Sequence, residues 1–187
     1  PGDQDKFAIY RYGALELPIA PALINGFGMA VLPEIAQDLK QALKDIRTKS
    51  LRLFHILFPT AAIIMLNSKW IFPAVFRDAF AESVPIFNIF LLILVTRMVF
   101  SRTILVGLEA NRAVLWISFA EILVFSGLCF VLCSCMGLEG IALATLLAYT
   151  FEKVLLTVFL WRRFDIGVGE YTQMGWFGFY TVLIAGA

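Results

Sequence analysis

Long apolar runs separated by short polar links dominate the pattern of this chain. Five runs are long enough to cross a membrane, and a sixth begins near Tyr171 and is cut off at Ala187. A hydrocarbon core about 30 Å thick needs about 20 helical residues to cross it. The pattern therefore predicts a polytopic membrane protein. Its predicted spans cover residues 13–35, 52–74, 84–106, 114–136, 138–161 and 171–187.

The apolar runs predict helices rather than the strands of a barrel. Only helices and closed barrels pair every backbone N–H and C=O group within lipid. Barrel strands alternate apolar and polar residues over about ten positions, whereas these runs are continuously apolar. We therefore predict an all-α transmembrane helix bundle with five complete spans and a truncated sixth. Because the sequence begins with Pro1 and ends within an apolar run, we expect it to be a fragment of a longer chain.

The composition supports a membrane location and gives no sign of a cofactor. Hydrophobic residues make up 60% of the chain, and the mean hydropathy is +0.85, well above the values of soluble domains. The net charge of +1 does not suggest a nucleic-acid partner. Cys129, Cys133 and Cys135 lie in one apolar stretch without His or carboxylate neighbours. We therefore predict no metal site, and we expect these thiols to pack between helices as small apolar groups.

Small residues and prolines predict how the helices pack and bend. Gly140, Ala144 and Ala148 recur at four-residue spacing, which lets two helices approach closely in lipid. Proline removes a backbone donor and clashes with the preceding turn, so kinks are expected near it. The kinks could simply shape helix packing, or they could form a cavity that changes shape. The prolines in question are Pro18, Pro21, Pro59, Pro73 and Pro85.

Basic residues fall mainly on alternate links, and this distribution predicts the orientation. The links at 37–52, 107–113 and 162–170, with their flanks, carry nine Lys and Arg residues, against four on the opposite side. Positive charges favour the cytoplasmic side, so we place these three links in the cytoplasm. The nine are Lys40, Lys44, Arg47, Lys49, Arg52, Arg102, Arg112, Arg162 and Arg163; the four are Lys6, Arg11, Lys69 and Arg77.

The link at 37–52 has the pattern of an amphipathic helix. Leu39, Leu43 and Ile46 recur at helical spacing, with lysines on the other side. Such a helix is expected to lie along the inner membrane surface, with its cations near anionic lipid head groups.

Ionisable residues within the spans are the main candidates for function. Charge at mid-membrane is costly, so it normally has a partner or faces a watery cavity. Arg97, Glu121, Glu152 and Lys153 are predicted to lie in one layer near the bilayer centre. Two interpretations compete: an ion-pair network that locks three helices together, or a polar cavity surface that binds an anionic head group or couples to ions. In the second, Arg97 contacts the substrate.

Three further residues are candidates in the first predicted span. Arg11 and Glu16 are predicted to form a shallower pair near the outer face. This pair could sit at the interface with its charges extended toward water, or belong to an outward opening. Asn25, half-way down the same run, is a weaker cavity candidate.

Six short motifs occur in a fixed order along the chain: residues 7–12 (FAIYRY), 31–35 (VLPEI), 57–59 (LFP), 83–87 (SVPIF), 104–112 (ILVGLEANR) and 137–145 (GLEGIALAT). In their order and spacing, these motifs resemble the C-terminal half of polysaccharide flippases of the O-antigen type. These flippases belong to a superfamily that also contains multidrug exporters and lipid II flippases. The resemblance covers nearly the whole chain.

The resemblance implies a specific architecture and cargo. It implies two six-helix lobes around a central cavity that opens alternately to each side of the bacterial inner membrane. This chain would be the second lobe, and the missing N-terminal lobe of the same chain would be its partner. The implied cargo is a lipid-linked oligosaccharide on an undecaprenyl pyrophosphate carrier, for lipopolysaccharide or other surface polysaccharide biosynthesis. Cavity arginines would then contact the pyrophosphate, because guanidinium groups suit phosphate geometry.

Other functions stay open at this point. A multidrug or cation antiporter of the same superfamily is the main alternative. An integral membrane glycosyltransferase or polymerase, or an assembly factor, is a further one. The longest link, residues 37–52, is basic, and the chain has one His and no paired carboxylates in a link. Acid–base or metal catalysis needs such groups, so we predict that the chain is not an enzyme and has no catalytic residues.

Overall fold

The computed structural model describes residues 3–17, 19–76 and 78–186. These residues form nine α-helices and one 3₁₀ helix, and none of them forms a strand. The predicted all-α bundle is therefore confirmed. Predictions that involve Pro1, Pro18, Arg77 and Ala187 lie outside the described residues. The helices are α1 (Asp3–Gly13), α2 (Ile19–Gln37), α3 (Leu39–Phe76), the 3₁₀ helix (Asp78–Ser83), α4 (Val84–Arg97), α5 (Ser101–Gly107), α6 (Asn111–Met136), α7 (Leu138–Phe164), α8 (Val168–Tyr171) and α9 (Met174–Ala185).

Five helical stretches among the described residues are long and apolar enough to cross a membrane: Ile19–Gln37, Leu39–Phe76, Phe80–Arg97, Asn111–Met136 and Leu138–Phe164. The chain is thus a multi-pass membrane protein. The predicted fourth and fifth spans correspond to α6 and α7. The predicted sixth span is a short apolar helix, α9, which begins at Met174 rather than at Tyr171.

The first predicted span is not one continuous helix. Helix α1 ends at Gly13, and α2 begins only at Ile19. Gly13 packs so closely on Ile86 that an added β-carbon would lie 2.7 Å from the Ile86 side chain. Pro21 falls in the first turn of α2, where a backbone N–H has no acceptor within the helix. Pro21 therefore suits the start of a helix rather than a kink within one.

The amphipathic link and the second span form one helix. Helix α3 runs for 38 residues from Leu39 to Phe76, so the link does not lie separately along the membrane surface. Its apolar residues Leu43 and Ile46 are buried in the same core as Tyr171 of α8. The prediction of a surface helix is therefore wrong, because the apolar face is covered by protein rather than by lipid.

The connections between helices gather at two opposite ends of the bundle. At one end, Gly107 packs against Ile35, and α7 leads into α8, which packs against α3. At the other end, the Ser83 hydroxyl donates a hydrogen bond of 2.8 Å to the carbonyl oxygen of Ile9. The links at 37–52, 107–113 and 162–170 therefore lie at the same end of the bundle. The distribution of basic residues predicts this alternation of links between the two ends.

Helices α6 and α7 form a close antiparallel pair through Gly140, as the spacing of small residues predicts. A β-carbon at Gly140 would overlap the carbonyl oxygen of Leu132 in α6. Much of the rest of α6 is exposed apolar surface, and Val114 is the one buried residue of this helix. Cys133 and Cys135 are exposed on it and Cys129 is partly buried. The prediction that the thiols pack between helices is therefore wrong for Cys133 and Cys135.

Candidate functional site

The third predicted span, residues 84–106, is broken in the middle. Helix α4 ends at Arg97, and α5 begins at Ser101. Between them, the Val99 N–H donates a hydrogen bond of 3.3 Å to the Thr96 carbonyl oxygen. This bond closes a four-residue turn, residues 96–99. Non-helical backbone at membrane depth is tolerated only where it is buried in protein or lines a cavity. The prediction of one continuous helix is therefore wrong, and the break marks a site.

A cavity of about 360 Å³ lies beside this break, and we call it the charged cavity. It is bounded by α2, by the α4–α5 break and by α7. The break places Arg97 and Arg102 on the same cavity, together with Lys153 and Glu152 of α7. The cavity is lined by Ile24, Asn25, Gly28, Met29, Leu32, Thr96, Arg97, Val99, Phe100, Arg102, Thr103, Val106, Tyr149, Glu152 and Lys153.

Arg97 joins three parts of the bundle. Its Nη2 donates a hydrogen bond of 2.6 Å to Oε1 of Glu16, in the connector between α1 and α2. Its guanidinium carbon lies 5.9 Å from the ring centroid of Tyr149 on α7, within range of a cation–π contact. The Nε atom is buried and has no hydrogen-bond partner among the described residues. Arg97 is thus held in place but keeps an unused donor.

Glu152 is the most deeply buried charge of the cavity, with 1% of its surface exposed. Its Oε1 lies 3.1 Å from Nη1 of Arg102, and its Oε2 lies 3.7 Å from Nζ of Lys153. Arg102 also donates a 2.9 Å hydrogen bond to the Ser118 hydroxyl of α6. One carboxylate therefore pairs with two cations and leaves a net positive charge, and Arg102 links α5 to both α6 and α7.

The structure brings together most of the predicted layer. Asn25, Arg97, Glu152 and Lys153 all line the charged cavity. Glu121 is half-buried on α6 and lies close enough to interact electrostatically with Glu152, Arg102 and Lys153. It is not among the described residues that line the cavity. Glu121 thus belongs to the charge network without forming part of the wall.

The predicted pair of Arg11 and Glu16 is wrong. Glu16 binds Arg97, which lies 81 positions later in the chain, whereas Arg11 is an exposed residue at the end of α1. The reason is the break between α1 and α2. It places Glu16 in a non-helical connector, from which its side chain reaches Arg97 of α4 rather than Arg11.

Sequence reasoning missed Arg102, Thr103 and Tyr149 as cavity residues. The sequence predicts that Arg102 flanks a cytoplasmic link, because it lies near the end of an apolar run. In a continuous helix, residues five apart point about 140° away from each other, so Arg97 and Arg102 would face different surroundings. The available signal was the pair of polar clusters, Thr96-Arg97 and Ser101-Arg102-Thr103, on either side of three apolar residues.

The chemistry of the cavity suits an anionic ligand. Its wall carries three cations, Arg97, Arg102 and Lys153, and one carboxylate, Glu152. Guanidinium groups bind phosphate oxygens in pairs. Among the described residues, no group of three His, Cys, Asp or Glu side chains could hold a metal ion. A ligand that binds Nη2 of Arg97 would compete with Glu16 for this atom.

Substitution of Glu16 by glutamine should destabilise the protein moderately. It removes a charge-assisted hydrogen bond to a partly buried arginine, so we expect the free energy of unfolding to fall by about 1.5–3 kcal/mol. Thermal unfolding in detergent micelles measures the change. Glu82→Gln is the control, because Glu82 is exposed and lies in the 3₁₀ helix, outside the lining of the charged cavity. Equal melting temperatures for the two variants would contradict a stabilising role for the Glu16–Arg97 pair.

Comparison of the chain with protein-family models, with curated proteins and with solved structures found no match. The resemblance to polysaccharide flippases therefore depends on the sequence motifs alone and stays a prediction. The function has to be inferred from the chemistry of the charged cavity and its place in a multi-pass membrane protein.

Proposed function

We propose that this chain is one lobe of a transporter that moves a lipid-linked oligosaccharide across the bacterial inner membrane by alternating access. The observation that carries the proposal is the charged cavity at the α4–α5 break. Secondary transporters commonly form their substrate sites near the bilayer midplane from discontinuous helices. A break flanked by two arginines, inside an apolar bundle, fits that pattern. The sequence motifs add the class of cargo.

In this proposal the cations of the cavity bind the pyrophosphate of the carrier lipid. Arg97 and Arg102 would each offer two donors to phosphate oxygens, and Lys153 would add a compact positive charge. Asn25 and Thr103 line the same cavity and would supply neutral hydrogen-bonding groups. No covalent bond of the cargo needs to change, so the proposed role is transport rather than catalysis.

The Glu16–Arg97 pair offers a way to couple binding to movement. The pyrophosphate and Glu16 would compete for the same guanidinium, so bound cargo would release the connector between α1 and α2. A ligand shifts a conformational equilibrium only by its difference in affinity for the two states. Exchange of partners at Arg97 would supply such a difference in a transporter whose Glu16–Arg97 pair forms in one state and opens in the other.

We further propose that the end of the bundle with the three basic links faces the cytoplasm. The positive-inside rule supports this orientation. A second lobe on the same chain would complete the central cavity. The partners in this proposal are the lipid bilayer, that lobe and the cargo.

A cation antiporter is the second candidate, and Glu152 is the observation that favours it. A buried carboxylate at membrane depth is typical of residues that couple transport to protons or cations. The two candidates differ in their cargo. Loss of gradient-driven dye efflux, with surface polysaccharide intact, would favour the antiporter.

Deletion of the gene in its bacterial host tests the main proposal. We expect loss of surface polysaccharide and accumulation of lipid-linked precursor, both restored by the complete protein. Arg102→Gln should restore export at most to about one tenth, because it removes a guanidinium group that would bind the pyrophosphate, and a hydrogen bond to a charged group contributes about 1.5–3 kcal/mol. Arg112→Gln is the matched control, since Arg112 is an exposed residue at the start of α6. Both variants must accumulate to wild-type levels in the membrane. Full export by Arg102→Gln would contradict a role for the cavity.

A further inference from the structure

Glu16 lies in the connector between α1 and α2, and most of its side chain is covered by protein. The side chain is 26% exposed. Beside it is a space of about 10 Å³, which has room for about one water molecule. Apart from Glu16 and Arg97, the described residues that line this space are all apolar: Leu17, Ala20, Phe90, Leu91 and Leu94. The carboxylate therefore has little besides Arg97 to stabilise its charge.

The neighbours of Glu16 on α4 set its depth in the bundle. Leu91 and Leu94, which line the same space, come seven and ten residues after the start of α4 at Val84. At a rise of about 1.5 Å per residue, these separations are about 10 and 15 Å along the helix axis. Glu16 therefore lies at a depth well inside the span Phe80–Arg97, where a charge without a partner is costly.

The other charged and titratable groups near Glu16 come from α7 and α1. Tyr149 of α7 lies close enough to interact with Glu16 electrostatically, but a phenol is uncharged at neutral pH. Arg11 of α1 is exposed, and Tyr12 packs against aromatic rings of α3 and the 3₁₀ helix. Among the described residues, Arg97 is thus the one cation within 4 Å of Glu16.

Opening of the Glu16–Arg97 pair changes the charge that Glu16 can carry. Arg97 stays charged, because a guanidinium group does not lose its proton in proteins. A carboxylate that loses its cation in apolar surroundings takes up a proton rather than remaining charged. The proton binds to a carboxylate oxygen of Glu16 as the pair opens, and it returns to water when the pair forms again. The open state therefore holds one more proton than the paired state, so a lower pH favours the open state.

We propose that Glu16 is a proton-binding site and that the Glu16–Arg97 pair opens with the uptake of one proton on Glu16. The inference rests on the proposed function only in that opening of this pair is a step of transport. It assigns the proton to Glu16 rather than to Glu152. Glu152 has two cations within 4 Å and keeps one of them if the other moves, whereas Glu16 depends on Arg97 alone.

Labelling of a single cysteine by N-ethylmaleimide measures how often the pair is open. The reporter is Ala20→Cys in the full-length protein in lipid vesicles, with Cys129, Cys133 and Cys135 replaced by serine. Ala20 is 2% exposed and lines the same space as Glu16. The reagent should therefore reach the reporter only when the connector moves away from α4.

The same reporter combined with Glu16→Gln is the reference, because the reactivity of a thiol itself changes with pH. Glutamine neither takes up the proton nor forms an ion pair with Arg97, so this variant should be open at every pH. Relative to this reference, labelling of the protein that retains Glu16 should rise about tenfold from pH 8 to pH 7, the slope expected for one proton. Glu82→Gln removes an exposed carboxylate of the 3₁₀ helix and should leave this rise unchanged.

The outcomes distinguish the proton site from the proposed function. A labelling ratio that does not change with pH would overturn the proton site, and so would a reporter that stays unlabelled in Glu16→Gln at every pH. If polysaccharide export still failed in Arg102→Gln, the proposed function would then stand without the proton site. Normal surface polysaccharide in the deletion strain, together with a tenfold rise in labelling, would overturn the proposed function and support the proton site.

Discussion

Replacing Glu152 by glutamine should lower the free energy of unfolding by about 3 kcal/mol, the lower end of the cost of breaking a buried ion pair, because Lys153 is largely buried whereas Arg102 is about half exposed. Glu152 is nearly inaccessible and lies between Arg102 and Lys153. Glutamine has nearly the same size as glutamate. The loss of stability would therefore come from the missing charge rather than from a change in packing. Thermal and denaturant unfolding in detergent micelles measure it.

Two comparisons make the Glu152 prediction specific. Glu139→Gln removes a carboxylate that is exposed on the same helix, and it should change stability by less than about 0.5 kcal/mol. Arg102→Gln added to Glu152→Gln should recover part of the lost stability, because it removes one of the cations left without a partner. Equal stability of the Glu139 and Glu152 variants would show that the network does not stabilise the bundle.

Replacing Gly140 by valine should separate α6 from α7 and destabilise the pair by about 3 kcal/mol, the upper end of the usual cost of overpacking. The β-carbon would meet backbone atoms of Leu132, and backbone cannot rotate away as a side chain can. Cysteine crosslinking between the two helices measures their separation, and thermal unfolding measures the loss of stability.

Gly127→Val is the matched control for Gly140. Gly127 lies within α6, and no heavy atom outside its own helix surroundings lies within 4 Å of an added β-carbon. Its substitution should therefore leave the crosslinking between α6 and α7 unchanged. A similar loss of crosslinking in both variants would mean that valine disturbs the helix itself rather than the contact at Gly140.

The helices and the layer of charges could be predicted from the sequence because both depend on local patterns. The apolar runs of membrane length predict the bounds of α6 and α7 to within three residues. The four-residue spacing of Gly140 and Ala144 predicts that these two helices pack closely together, as they do at Gly140. Arg97, Glu152 and Lys153 stood out as ionisable residues in apolar surroundings. Charge is rare in such runs, so each instance carries information.

The ion pairs and the helix breaks could not be predicted, for a physical reason in each case. Glu16 and Arg97 meet through tertiary packing across 81 positions, and no local pattern specifies that contact. The break at residues 98–100 contains neither Gly nor Pro, so its cause is the surrounding bundle rather than the propensity of the segment. Without the break, Arg102 would lie near the end of the third span, and the sequence therefore predicts that it flanks a link. In the structure it lines the charged cavity.

The length of α3 has a consequence for the membrane around the protein. Its 38 residues measure about 57 Å, nearly twice the thickness of a hydrocarbon core. Its apolar part, residues 52–74, is about 35 Å long, and such a stretch answers a thinner bilayer by tilting. Because α2 and α4 pack against α3, its tilt alters the gap between the helices that bound the charged cavity. The acyl-chain length of the host lipids is therefore expected to change the width of this cavity.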